Sequence, residues 1–128
     1  MVVDTSAIVA ILLGESGLEA LLTKLTADPR RLVSAATALE SALVIEAKRG
    51  REGGRDFDLF LHEGGFEIVA VTADHYSLAR EAWRRFGKGR HAAGLNICDC
   101  LAYALAKATG EPLLFVGNDF SHTDIATA

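Results

Sequence analysis

Apolar residues along the chain fall into short β-branched runs that alternate with stretches repeating at three- and four-residue steps. Met1-Val2-Val3 is one such run. It stops at Asp4, and after Thr5-Ser6 the residues Ile8, Val9, Leu12 and Leu13 follow at helical spacing, which predicts strand, turn and helix. Leu18, Leu21, Leu22 and Leu25 predict a second amphipathic helix, ended near Asp28-Pro29 because the residue before a proline is pushed out of helical geometry. Leu32-Val33 predicts a second short strand. Leu39, Leu43, Val44 and Ala47 predict a helix from Thr37 to Gly50, and Phe57, Phe60 and Leu61 another, closed by Gly64-Gly65.

Phe66 to Val71, rich in Val and Ile between Gly and Thr, is the clearest strand signal. Thr72 then caps a helix carrying Leu78, Ala79, Ala82, Trp83 and Phe86, and the stretch from Gly87 to Leu95 reads as a loop. Asn96 opens a helix with Leu101, Ala104, Leu105 and Ala108, closed by Gly110. Pro112 to Val116 predicts the last strand, and Gly117-Asn118-Asp119 the turn after it. No repeat or linker interrupts the alternation. The expectation is one domain over residues 1–128, α/β in class, with a mostly parallel sheet flanked by helices.

Composition adds limits. A chain of 128 residues, half of them apolar, buries enough surface for one core without disulfides or a structural zinc. Its 17 acidic and 13 basic residues give −4, which disfavours a protein that merely coats nucleic acid, while leaving a local basic face open. Cys98 and Cys100 flank a single Asp and suit neither a disulfide scaffold nor a zinc site, as expected of a reduced, cytoplasmic protein. The apolar N-terminus has no preceding Lys or Arg and meets Asp4 at once, so it does not read as a signal peptide. No apolar stretch approaches the roughly 18–20 residues of a membrane span.

The candidate chemistry lies in four acids. Asp4 follows the first strand and Asp119 the last, the positions where open parallel sheets gather ligands. Glu40 and Asp99 lie near helix starts among apolar neighbours. Isolated buried anions are costly, and no nearby Lys or Arg offers compensation. A divalent cation held by oxygen ligands, Mg²⁺ or Mn²⁺ rather than zinc, would compensate several at once. Each acid also has a plain structural reading: Asp4 as an N-cap, Thr37-x-x-Glu40 and Asn96-x-x-Asp99 as capping boxes, Asp119 as an Asx-turn.

Together these residues resemble the PIN domain, specifically the VapC-type toxin ribonucleases of toxin-antitoxin pairs. Met1-Val2-Val3-Asp4-Thr5-Ser6-Ala7 looks like the family's hydrophobic-Asp-x-Ser opening. Glu40 in Ala38-Leu39-Glu40-Ser41 resembles the second acid, and Asp99 in the run from Gly94 to Ala106 the third. Leu113 to Phe120, with Asp119, looks like the closing strand and fourth acidic position. The resemblance covers nearly the whole chain. It implies a PIN-like sheet of about four to five strands and a Mg²⁺-dependent endoribonuclease, with Mn²⁺ as a possible substitute. It also implies an RNA substrate and a cognate antitoxin, and a homodimer is expected.

On this reading Asp4 and Asp99 are the principal metal ligands, and Glu40 and Asp119 complete the catalytic cluster and orient the attacking water. Ser6 would bind a ligand or phosphate, or simply satisfy the helix start. Arg80, Arg84, Arg85, Lys88 and Arg90 against the single Glu81 form a basic stretch, in which Lys88 and Arg90 are the expected RNA contacts. Trp83, Phe86 and Tyr103 could stack on bases, but their spacing favours core packing. The histidines, His62, His75, His91 and His122, show no metal-ligand spacing. Apolar helices such as Leu12 to Leu25 would form an antitoxin groove or a dimer face. The rivals are a non-catalytic metal-binding interaction module and a phosphatase using Asp4 as nucleophile; the latter wants an Asp where this chain has Ser6.

Overall fold

The computed structural model describes residues 1–128. Four strands, β1 (Val2–Val3), β2 (Arg31–Ser34), β3 (Phe66–Val69) and β4 (Leu113–Leu114), form one sheet in the order β3-β2-β1-β4, and every pair is parallel. Five helices flank it: α1 (Thr5–Leu12), α2 (Leu18–Ala27), α3 (Ala35–Glu63), α4 (Ala73–Phe86) and α5 (Ile97–Thr109). No helix is long and apolar enough to cross a membrane.

Alternation along the strands divides the interior in two. Val2, Leu32 and Leu113 face the layer of α4 and α5, where Phe86, Leu95, Tyr103 and Leu105 are buried. Val3, Val33 and Leu114 face the layer of α1 to α3, with Ile8, Leu25, Ile45 and Phe57. A parallel sheet covered on both faces needs apolar residues at successive positions, which is why its strands read as unbroken β-branched or leucine runs.

The sheet is shorter than its hydrophobic runs. β3 is an edge strand whose register runs from Arg31↔Phe66 to Ser34↔Val69; β2 then turns into α3, and Val71, expected in the strand, is left without a partner and exposed. On the other edge, Leu113 N–H donates to Ala126 O and Ala128 N–H to Leu113 O, so the last residues cover β4. The two helices expected around Gly50 are joined end to end, with Gly50 at φ 64° and ψ −158° as the bend between them. Only a residue without Cβ adopts that geometry readily.

The buried face of α3 also differs from expectation. Leu39 and Leu43, which the helical spacing would place inside, are 61% and 60% exposed, while Thr37, Ala38, Ser41 and Ile45 are buried. Small side chains let α3 approach α1 closely, and the larger leucines are turned outward.

Candidate active site

β1 lies at the point where the chain changes direction across the sheet: β2 and β3 extend to one side of it and β4 to the other. The carboxyl ends of β1 and β4 flank the crevice that such a switch creates. Asp4 is the residue after β1. Its N–H donates to Leu114 O at 2.9 Å, continuing the ladder with β4, and its side chain caps α1.

Ser6 fixes that carboxylate. Its N–H and its Oγ–H both donate to Asp4 Oδ2, at 2.9 and 2.6 Å, and its Oγ accepts from Val116 N–H at 3.0 Å. The hydroxyl therefore ties Asp4 to the segment after β4 and positions the acid, so its donor and acceptor are both engaged within the protein. Asp4 is only 4% exposed and has no cationic partner. Burial raises its pKa above the ordinary carboxylate value against the lowering effect of the Ser6 bonds, and Glu40 raises it further.

Asp99 enters from α5. Asn96 and Asp99 form a reciprocal capping box: Asp99 N–H donates to Asn96 Oδ1 and Asn96 N–H to Asp99 Oδ2, each at 2.9 Å. This bond lowers the pKa of Asp99, but burial outweighs it, and with the charges of Asp4, Asp119 and Glu40 the carboxyl is pushed up to about 6. Those influences place all four sequence-derived acids around one region. The capping readings of Asp4 and Asp99 hold, and they leave each carboxylate beside the crevice.

For the other two acids the plain readings fail. α3 begins at Ala35 with Ser34 as its N-cap, so Thr37 stands inside the helix and no Thr37-Glu40 capping box forms. Thr37 Oγ1 and Ser34 Oγ are buried without a hydrogen-bond partner. Asp119 precedes the short turn Phe120–His122, makes no cap bond and is exposed. Glu40 and Asp119 are thus free of structural duty.

Cys98 was not singled out as a site residue from the sequence, yet its thiol faces the same acids. Burial and the adjoining Glu40, Asp99 and Asp4 push it up to about 12, so it is a neutral thiol, not a nucleophile. Its place directly before Asp99 at the start of α5 was the available signal.

No three acidic, histidine or cysteine side chains are drawn together as a ready metal-ligand set. The donor chemistry nevertheless fits a hard divalent cation, because the crevice holds carboxylates, two of them destabilised as anions, and no Lys or Arg pairs with them. His122 is exposed on the turn after Asp119 and joins no such set.

The basic stretch divides. Arg84 pairs with Glu81 at 3.7 Å and Arg85 with Asp124 at 3.4 Å, whereas Arg80, Lys88 and Arg90 pair with no carboxylate. Lys88 and Arg90 lie on the loop between α4 and α5, closed by Lys88 N–H to Leu95 O and Leu95 N–H to Phe86 O. Phe86 and Tyr103 are buried as expected, but Trp83 is 43% exposed, contrary to the core assignment, and carries the Arg90 guanidinium 4.4 Å above its ring. Ala79, Ala82 and Phe86 point inward, and Trp83 sits at the edge of that stripe.

Residues 1–126 match the PIN domain family. A VapC ribonuclease of Mycobacterium bovis is 56% identical over 127 residues, covering 99% of this chain and 97% of the relative. A ribonuclease VapC of Mycolicibacterium smegmatis is 54% identical over 126 residues, covering 98% of each chain. Among solved structures, VapC20 of Mycobacterium tuberculosis, described as a sarcin-ricin loop cleaving toxin, superposes with a TM-score of 0.78 at 18% identity over 99% of this chain and 97% of its own. VapBC2 of Rickettsia felis, bound to a DNA fragment from its promoter, superposes with a TM-score of 0.77 at 14% identity, covering 99% and 96%.

Proposed function

The chain belongs to the PIN-domain family, and on that premise we propose that it is a metal-dependent endoribonuclease, the toxin of a toxin-antitoxin pair, acting through Asp4, Glu40, Asp99 and Asp119. The observation that carries the site assignment is the buried carboxylate of Asp4 beside the half-buried one of Asp99, both raised in pKa at the switch point of a parallel sheet with no protein cation to offset them. Its full-length relatives at more than half identity are ribonucleases by name.

Asp4 and Asp99 would hold the cation, with Mg²⁺ favoured by an all-oxygen carboxylate set and Mn²⁺ as a substitute. Bound there, a divalent ion supplies Lewis acidity toward a phosphodiester and lowers the pKa of water. Ser6 keeps Asp4 Oδ2 fixed, directing the carboxylate into the crevice. The Asn96 box holds Asp99 at the start of α5. Glu40 and Asp119, neither of which pairs with a cation or caps a helix, orient the attacking water and take up its proton. Lys88 and Arg90, unpaired and exposed, bind the RNA backbone and allow a chain of net charge −4 to engage a polyanion.

The partner is a cognate antitoxin. Leu39 and Leu43, exposed on α3 beside Glu40, are a face that it would cover, in place of the Leu12 to Leu25 stretch singled out from the sequence. Such a protein acts on RNA in the cytoplasm. Purified protein is expected to cut RNA in Mg²⁺ and to lose this activity in excess EDTA; full activity in EDTA would overturn the metal assignment.

A further inference from the structure

A groove of about 530 Å³ runs between α4 and the start of α5, within the range of about 300–1,000 Å³ typical of small-ligand sites. Eight of its eleven lining residues are hydrophobic, among them Tyr76, Trp83, Ile97 and Leu101; the other three are Arg80, Lys88 and Asn96. Three features distinguish it from an ordinary exposed apolar patch. Tyr76 and Trp83 present aromatic surface, with 59% and 43% of each exposed. No carboxylate lines it, although the chain has 17, and its two cations, like Arg90 stacked on Trp83, pair with no acid. Its wall is also continuous with the active site, since Asn96 both lines the groove and caps Asp99.

We propose that this groove receives an unstacked base of the RNA substrate, next to the scissile phosphate, with the base lying against Trp83 and Tyr76 and the flanking phosphates on Lys88, Arg80 and Arg90. The inference rests on the nuclease reading for its substrate class and adds the subsite that grips it. Single-stranded RNA is recognised by splaying bases onto aromatic and guanidinium planes while cations track the backbone, and the groove supplies both components. The loop carrying the cations is held by its own ladder to Phe86 and Leu95, so Lys88 and Arg90 are presented from a fixed frame.

Trp83 is the chain's single tryptophan, so its fluorescence reports on this groove alone. In an Asp99→Asn background, which leaves the RNA uncut, titration with an oligouridine of about ten nucleotides in Mg²⁺ is expected to quench that emission saturably. By fluorescence polarisation of the labelled oligonucleotide, Trp83→Ala should weaken binding roughly 5- to 150-fold, the loss of one base stack, while Trp83→Phe retains most of it. Lys88→Ala should lower the salt slope by about 0.7, the value of one single-strand phosphate contact. In the otherwise native chain, Trp83→Ala should raise KM for RNA and leave kcat nearly unchanged.

Unchanged RNA affinity in a folded Trp83→Ala protein overturns the proposal. So does an emission change that depends on protein concentration and is insensitive to RNA, which would mean that a second copy covers the groove. The nuclease reading is tested separately by cleavage in Mg²⁺. A chain that fails to cut yet shows quenching and the Trp83→Ala loss keeps the base subsite and loses the nuclease; one that cuts RNA equally well with and without Trp83 keeps the nuclease and loses the subsite.

Discussion

Two aspartates associated with α5 show opposite treatments of the same side chain. Asp124 is satisfied by the protein: Tyr103 Oη donates to its Oδ1 at 2.6 Å, and Lys107 Nζ and Arg85 approach its Oδ2 at 3.1 and 3.4 Å. Burial opposes its anion, but these hydrogen bonds and charges hold its pKa below the ordinary value. Asp99 has only backbone help from Asn96, while burial and three other acids push it up to about 6. Where the fold uses a carboxylate to fasten its C-terminal segment, it provides cations. Where none is provided, the demand for positive charge is left to something outside the chain, and that contrast marks the site more securely than the acids' number does.

The largest test of the contrast is removal of charge. Asp4→Asn or Asp99→Asn should reduce RNA cleavage by about 10²–10³-fold or more, the scale of losing a preorganised electrostatic partner, and should leave the metal-free melting temperature unchanged or higher. Asp124→Asn should leave cleavage near the native rate. Equal losses of activity at Asp124 and Asp99 would erase the distinction.

Next in size is the pH response. Because the Asp99 pKa is raised on folding, the folded state holds its proton between about pH 4 and 6 while the unfolded state has released it. Metal-free stability should therefore fall as pH rises through that window, and Asp99→Asn should flatten the slope. Asp124 has the opposite sign: its contribution is present above the ordinary carboxylate pKa and lost as pH falls below it. Denaturant melts of both variants across pH separate the two slopes.

Metal linkage is smaller. At a Mg²⁺ concentration about a hundred times Kd, the native chain should gain about 2.7 kcal/mol, more at pH 7 than at pH 5, where protons compete. Asp99→Asn should lose most of that gain, and Asp124→Ala none of it. The smallest effect is Asp124→Ala itself, expected to cost about 1–2 kcal/mol by denaturant melt, since its ion pairs are partly solvated.

The order of elements and the acids were legible in the sequence because both follow from local patterns: β-branched runs, helical spacing, and acids placed just after strands. Strand lengths were not, because β3 ends where β2 turns away, which depends on a partner elsewhere in the chain. Leu39, Leu43 and Trp83 show a second limit. Periodicity reports which residues share a helix face and not which face the core takes, and α3 buries its small side toward α1. Glu40 gained weight only when α3 proved to start at Ala35, releasing it from the capping box that its spacing with Thr37 suggests. Cys98 was hidden because a lone thiol carries no pattern of its own.

The pairing of β1 with β4 has a consequence for synthesis. Val2 and Val3 are made well before Leu113 and Leu114, which supply one edge of their strand, and before Val116, which holds the hydroxyl that fixes Asp4. A nascent chain on the ribosome thus carries its first acid long before it can assemble the crevice around it. The crevice around Asp4 is complete only once β4 is available to pair with β1.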